Sequence, residues 1–295
     1  MEHPDKQRSD RDYRPRRSRL TSRIFGNKML VIGGVVLMAM ISTALLAPLL
    51  AGYDPLKMDF SSVLAPPSSK HLLGTDHFGR DILSRILYGA RISIEVGLAS
   101  IFIGFAGGII IGAAAGYLGG LVDDILMRMM DGLLAFPALL LAIGLVASMG
   151  PSLKTVCLSI GVVYIPRFAR MMRSSVIAER EKEYVEAARA IGQSRIKILV
   201  RHIGPNCISP VVVMSTVIFA LAIIIEATLS FLGIGLPPPT PSWGTMLNES
   251  RRYLGTSIYP ALFPGLVISF AVLGLNLLGD GLRDLLDPKI YTVKR

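Results

Sequence analysis

Charge is scarce in this chain: 18% of its 295 residues are Asp, Glu, Lys or Arg, whereas 52% are hydrophobic and the mean hydropathy is +0.54. Soluble domains carry about a quarter charged residues, so this composition excludes an ordinary water-soluble fold and indicates an integral membrane protein. Cysteine is limited to Cys157 and Cys207, and neither has CxxC or Cys/His spacing around it. A disulfide framework and a zinc site are thereby excluded. No G-x-x-x-x-G-K-[ST] run is present to cradle ATP phosphates, and no nucleophile elbow, zincin or Rossmann pattern stands in a suitable context. Any driving energy must therefore come from elsewhere. No chain of carboxylates of the kind that relays protons is visible, which argues against a proton-coupled carrier.

What the chain has instead is long apolar runs. A bilayer core about 30 Å thick needs about 20 residues of helix, and six runs meet that length: 29–50, 92–118, 125–149, 153–171, 208–232 and 258–278. The first follows a basic leader, but its apolar length exceeds the roughly 7 to 15 residues of a signal peptide, so it is expected to remain as an anchor. The leader's "PRRSR" lacks the context of a twin-arginine signal and is taken as plain cytoplasmic charge. The net charge of +10 has a positional explanation. With the first residue inside, most of the lysines and arginines fall on the inner side, an asymmetry that fixes orientation and puts both termini in the cytoplasm. Nucleic-acid binding then loses its support.

Between the fourth and fifth runs lies "EYVEAARAIGQSRIKILVRHIGPN". Tyr184, Ala187, Ala188 and Ile191 are spaced i, i+3, i+4, i+7, and so are Ile196, Leu199, Val200 and Ile203. Gly192 suits a left-handed stop, Ser194 a second N-cap, and Gly204 with Pro205 an ending, which predicts two short amphipathic helices joined at a bend. Neither is long enough to be stable alone. Their charges suit either an anionic lipid surface or a partner protein.

The order Glu186, Ala187, Ala188, then Gly192, then Pro205 resembles the EAA loop of ABC importer permeases, in which two short helices dock in a cleft of a separate ATPase. Two positions depart from that pattern, His202 and Gly204, where an Ile and a Leu usually precede the proline. A second stretch, "HLLGTDHFGRDILSRILYGARIS", is similar to the segment before the second span in dipeptide and oligopeptide permeases of the C type, through Gly74, Thr75, Asp76, Gly79, Arg80, Asp81, Ser84, Arg85, Gly89, Ala90 and Arg91. "PPPTPSWGTMLNESR" and "NLLGDGLRDLLDPK" resemble two further stretches of the same subfamily. Together the matches span nearly all of the chain after residue 29.

The resemblance implies an all-α membrane protein of six transmembrane helices with the type I ABC importer permease fold. Its parts would be a cytoplasmic tail (1–28), a first span and external segment (29–91), a five-helix core (92–280) holding the coupling loop (172–207), and a second tail (281–295). It implies a multi-pass protein of the bacterial inner membrane that imports di- or oligopeptides by alternating access. The implied partners are a second homologous permease, two ATPase subunits that bind ATP and Mg, and an extracytoplasmic solute-binding protein. This chain itself would carry no catalytic residue, cofactor or metal. Nickel or another small solute is the alternative cargo within that machinery, and a stand-alone carrier or a membrane-embedded enzyme stands outside it.

Several residues carry local expectations. Asp76 with Arg80, and Asp81 with Arg85, are i, i+4 pairs suited to a helix along the outer interface. His71 and His77 beside Asp76 and Asp81 invite a metal, but helical pairing already explains the acids. Trp243 is expected to anchor the last external loop at the interface, with the prolines before it stiffening that loop. Glu226, inside the fifth span, must face a partner or water, either fastening two helices or lining the pathway. Arg128 is expected to pair with Asp131. Gly97, Gly104, Gly107, Gly108, Gly112 and Gly116 suit close helix approach, and Pro137 and Pro166 suit bends.

Overall fold

The computed structural model describes residues 26–286. The expected tails fall largely outside that range, as do the leader's arginine pair and Lys289. Among the described residues the regular structure is helical, apart from one isolated bridge between Thr75 and Asp81. The helices are α1 (Lys28–Leu50), α2 (Ile82–Leu118), α3 (Gly120–Leu134), α4 (Ala138–Met149), α5 (Leu153–Arg180), α6 (Glu183–Ala190), α7 (Arg195–Ile198), α8 (Gly204–Phe231), α9 (Trp243–Ser250) and α10 (Tyr259–Leu286). Five helical stretches are long and apolar enough to cross a membrane, or six if α3 and α4 count as one broken span.

Three departures from the sequence expectations have local causes. The run 125–149 is not one rod: α3 and α4 meet at 88°. Pro137 has no N–H to donate and takes extended angles (φ −55°, ψ 129°), so the α3 ladder stops at Ala135 and a new helix starts beyond it. The second span begins ten residues early, at Ile82, because Asp81 caps it by accepting from Ser84 N at 2.8 Å. No separate interfacial helix precedes it. In the loop 172–207, Gly204 and Pro205 do not end a helix. Residues 199–203 form a π turn that runs directly into α8, with Gly204 in right-handed angles (φ −51°, ψ −50°) and Pro205 in the first turn, where its missing N–H costs least. Ser194 precedes α7 without making a side-chain cap bond.

The bundle is organised around the contact of α2 with α5. Gly104, Gly108, Gly112 and Gly116 recur every four residues and form a groove along one face of α2. A Cβ on Gly108 would lie 2.3 Å from Phe168 Cβ, and one on Gly112 would lie 2.3 Å from the Ala169 carbonyl oxygen. Only a residue without a side chain lets the helices come this close, which is how membrane helices gain packing when lipid supplies no hydrophobic drive. Around this seam a continuous core runs through Val156, Ile160, Tyr164, Phe168, Ile218 and Leu229. A second cluster joins α1, α8, α9 and α10 through Met40, Ile223, Trp243 and Leu275.

Gly108→Leu should therefore destabilise the folded protein by at least about 1–3 kcal/mol, the usual range for overpacking. Gly144→Leu, where nothing lies within 4 Å of the added Cβ, should be close to neutral. Thermal unfolding of the two variants in detergent checks the difference.

Candidate functional site

Two polar constructions stand at opposite ends of the bundle. The first is the loop between α5 and α8. α6 ends at Ala190 with Ile191 as its cap, and Gly192 turns the chain with φ 76°, its N–H donating to the Arg189 carbonyl while Gln193 N donates to that of Ala188. Nothing lies within 4 Å of a Cβ at Gly192, so backbone angle rather than space requires glycine there. Val185 and Ala188 face inward, and with Ile198 and Ile203 they belong to the same core cluster as α2, α5 and α8. The expected apolar face is thus split. Ala188 and Ile203 are buried, whereas Tyr184, Ala187, Ile191, Ile196 and Val200 are exposed, Ile191 at 73% and Ile196 at 77%. Glu186 and Pro205 are exposed as well.

A polar chain knits the loop together. Tyr184 Oη donates to Glu179 at 2.5 Å and accepts from Asn206 Nδ2 at 3.2 Å, and Asn206 also donates to the His202 carbonyl at 2.9 Å. His202 Nε2 meets Gln193 Oε1 at 2.8 Å across the bend. Burial, joined by the Glu179 carboxylate, pushes the Tyr184 phenol up. His202, one of the two departures from the EAA pattern, thus has a structural use. Glu179, Gln193 and Asn206 escaped the sequence reasoning because their partners are brought together by the bend.

The second construction lies at the other end, where residues 53–81 meet α9. Asp76 Oδ2 accepts from Arg80 Nε at 2.6 Å and from Arg85 Nη1 at 2.8 Å, while Glu249 Oε2 accepts from Arg80 Nη2 at 2.6 Å and Arg85 Nη2 at 3.0 Å. The Asp76–Arg80 pair was expected, but in a turn rather than a helix, with Asp76 Oδ1 also accepting from Phe78 N and Arg80 N. Asp81 does not pair with Arg85. It is occupied by the helix cap and by His71 Nδ1 at 3.0 Å, which leaves Arg85 to Asp76 and Glu249. Gly74 and Gly79 turn with φ 79° and 73°, and a Cβ on Gly79 would strike the Asp59 carbonyl. Arg91 is exposed on α2 and takes no part in the network. Glu249 had no signal in the sequence, since its partners lie more than 160 positions away.

Ligand atoms of Asp76, His77 and Glu249 lie within 4.8 Å of one another, as a metal site would require. Two guanidiniums already hold these carboxylates, so a cation there would meet positive charge. Burial pushes the His77 imidazole below its ordinary value, against the pull of Asp76 and Glu249, and the ring stacks on Tyr253 at 4.9 Å. Trp243 is not an interfacial anchor. It is 1% exposed and donates from Nε1 to the Ile86 carbonyl at 3.0 Å, so its indole is wholly spent on joining α9 to α2.

The remaining membrane charges are also placed. Glu226 is fully buried, accepting from Ser230 Oγ at 2.9 Å one turn further along α8, and Ser230 Oγ in turn accepts from Leu236 N in the following loop. It therefore holds a helix to the loop after it. Asp131 takes its hydrogen bond from Arg170 of α5 at 2.6 Å and not from Arg128, its expected partner, because the long Arg170 side chain reaches it from the neighbouring helix.

Residues 108–291 match the family described as binding-protein-dependent transport system inner membrane component. The chain belongs to that family. Residues 18–67 also match the N-terminal transmembrane domain of oligopeptide transport permease C. A putative peptide transport system permease protein of Brucella abortus is 46% identical over 268 residues, covering 91% of this chain and 90% of its own. A dipeptide transport system permease protein of Alkalihalophilus pseudofirmus is 43% identical over 264 residues (90% and 87%), and a glutathione transport system permease protein of Pectobacterium atrosepticum 44% over 261 residues (88% and 87%). As a member, this permease is a multi-pass inner-membrane component of an ABC transporter and not its ATPase, and such permeases work with an ATPase and a substrate-binding protein.

Removing one partner of a buried ion network costs about 3–5 kcal/mol, because the other charge stays buried. Asp76→Asn should lower permease stability by about that amount, and Arg91→Gln by less than about 0.5 kcal/mol, as expected of an exposed site. Thermal unfolding in detergent reads both.

Proposed function

We propose that this permease imports di- or oligopeptides across the bacterial inner membrane by alternating access, with the loop 172–207 in the cytoplasm as the surface on which a separate ATPase docks. The observation that carries the proposal is the division of that loop. Its inner residues, Val185, Ala188, Ile198 and Ile203, are continuous with the membrane core, while Tyr184, Ala187, Ile191 and Ile196 present a bare apolar surface. Exposed apolar groups around a bend of fixed shape are what a helix-in-groove contact uses. Motion imposed there would pass into α5 and α8, since the loop has no slack: one short connection joins α5 to α6, and the π turn joins α7 to α8 without a break.

Glu186, Ala187, Ala188, Gly192 and Pro205 are the coupling residues in this reading. ATP and Mg are held by two partner ATPase subunits, a second homologous permease completes the passage, and the extracytoplasmic binding protein delivers solute to the end bearing Asp76 and Glu249. Peptide is favoured over nickel by the substrate words in the names of the related proteins, two of which specify peptide and one glutathione, itself a tripeptide.

Gly192→Pro, or Glu186→Lys combined with Ala187→Asp, is expected to reduce co-purification of the ATPase by about tenfold or more, as central interface residues are worth about 2 kcal/mol each. Membrane insertion of both variants should be normal. Unchanged co-purification would contradict the docking assignment.

A further inference from the structure

Along α5, Arg167, Arg170 and Arg173 follow one another at three-residue spacing and face the broken pair α3–α4. Two of them are neutralised. Arg173 grips Asp123 with both Nε and Nη2 at 2.5 Å, and Arg170 reaches Asp131 at 2.6 Å. Arg167 has no carboxylate partner among the described residues. Its guanidinium lies over the Tyr164 ring, 5.3 Å from the centroid, and the side chain is exposed.

Arg167 is the middle residue of α5, which continues past the apolar run 153–171 to Arg180. Its neighbours Ile165 and Phe168 pack on Gly107 and Gly108 of α2, about 15 Å in from the end of that helix at Leu118. By the apolar run 153–171 Arg167 stands near the inner end of its span, where an exposed arginine is stable when it reaches water or a group of opposite charge. It lines a cavity of about 220 Å³ at the bend, whose other walls include Phe136, Pro137, Leu141 and Val163. The cavity therefore offers one fixed cation among apolar and aromatic surfaces.

This chemistry fits one end of a peptide. Side chains differ from one peptide to the next, but every unmodified peptide ends in a carboxylate, and a guanidinium matches a carboxylate with two parallel N–H···O bonds. The apolar walls would take the adjoining side chain whatever its shape. Resting on the peptide-import reading above, we propose that Arg167 is a carboxylate-binding residue of the translocation pathway, meeting the C-terminal carboxylate of a passing peptide at the bend between α3 and α4.

The test uses the complete transporter in proteoliposomes, with saturating binding protein loaded with a free-acid dipeptide or with its C-terminal amide. Arg167→Gln should slow uptake of the free acid by about tenfold or more, the usual loss when a hydrogen-bonded charge is removed, while leaving uptake of the amide near the wild-type rate. Arg167→Lys should restore most free-acid uptake. Equal rates for wild type and Arg167→Gln with the free acid overturn the proposal. So does an equal loss for both peptides, or failure of the Arg167→Gln complex to assemble, since either outcome makes Arg167 the mate of an acid on another subunit or of a lipid phosphate. Uptake of neither peptide by the wild-type transporter is a different result: it overturns the peptide-import reading itself, and Arg167's role with it.

Discussion

Four small or branched apolar side chains, Val185, Ala188, Ile198 and Ile203, are buried in the same core that packs α2 against α5 and α8. The mechanics of the molecule depend on this. Neither α6 nor α7 is long enough to persist alone in water, so the shape of the loop is borrowed from the bundle beneath it. A force on the outer surface of the loop is then a force on the ends of two membrane helices. The π turn at 199–203 matters for the same reason, because it lets the chain pass Pro205 without a hinge.

Several charges in the bundle follow one rule of placement. At the end bearing residues 53–81, Asp76, Arg80, Arg85 and Glu249 neutralise one another and tie the start of α2 to α9, with Trp243 fixing the same pair of helices from the apolar side. Toward the loop between α5 and α8, Asp123 and Asp131 on α3 are held by Arg173 and Arg170 on α5. α3 is therefore bound electrostatically to the helix that leads into the loop, while the 88° bend frees α4 to run elsewhere. Arg167 departs from the rule at the level of that bend.

Much of this was legible in the sequence. The apolar runs located five of the membrane helices, the glycines of α2 pointed to close helix approach without saying to which helix, and Gly192 marked the bend that its positive φ requires. The failures share a cause. Asp81 with Arg85 and Arg128 with Asp131 were paired by helical spacing, yet each aspartate found a better partner on another element or in a cap, and spacing along one helix carries no information about neighbours. Glu249 and Arg170 were invisible for the same reason. Trp243 was misplaced because an indole suits a lipid interface and a buried hydrogen bond equally well until the Ile86 carbonyl is seen opposite it. Pro137 was read as a possible bend in one span, but its extended ψ breaks the helix outright.

The central claim is that the loop 183–206 lies in the cytoplasm with its apolar outer face covered by the ATPase. Native Cys157 and Cys207 are buried, so a single exposed thiol from Ile191→Cys reports on that face without background. Labelled with a membrane-impermeant maleimide, it should react in inside-out vesicles stripped of ATPase, be protected when the ATPase is added back, and stay silent in intact spheroplasts. Labelling in intact spheroplasts, or no protection by the ATPase, would contradict the account.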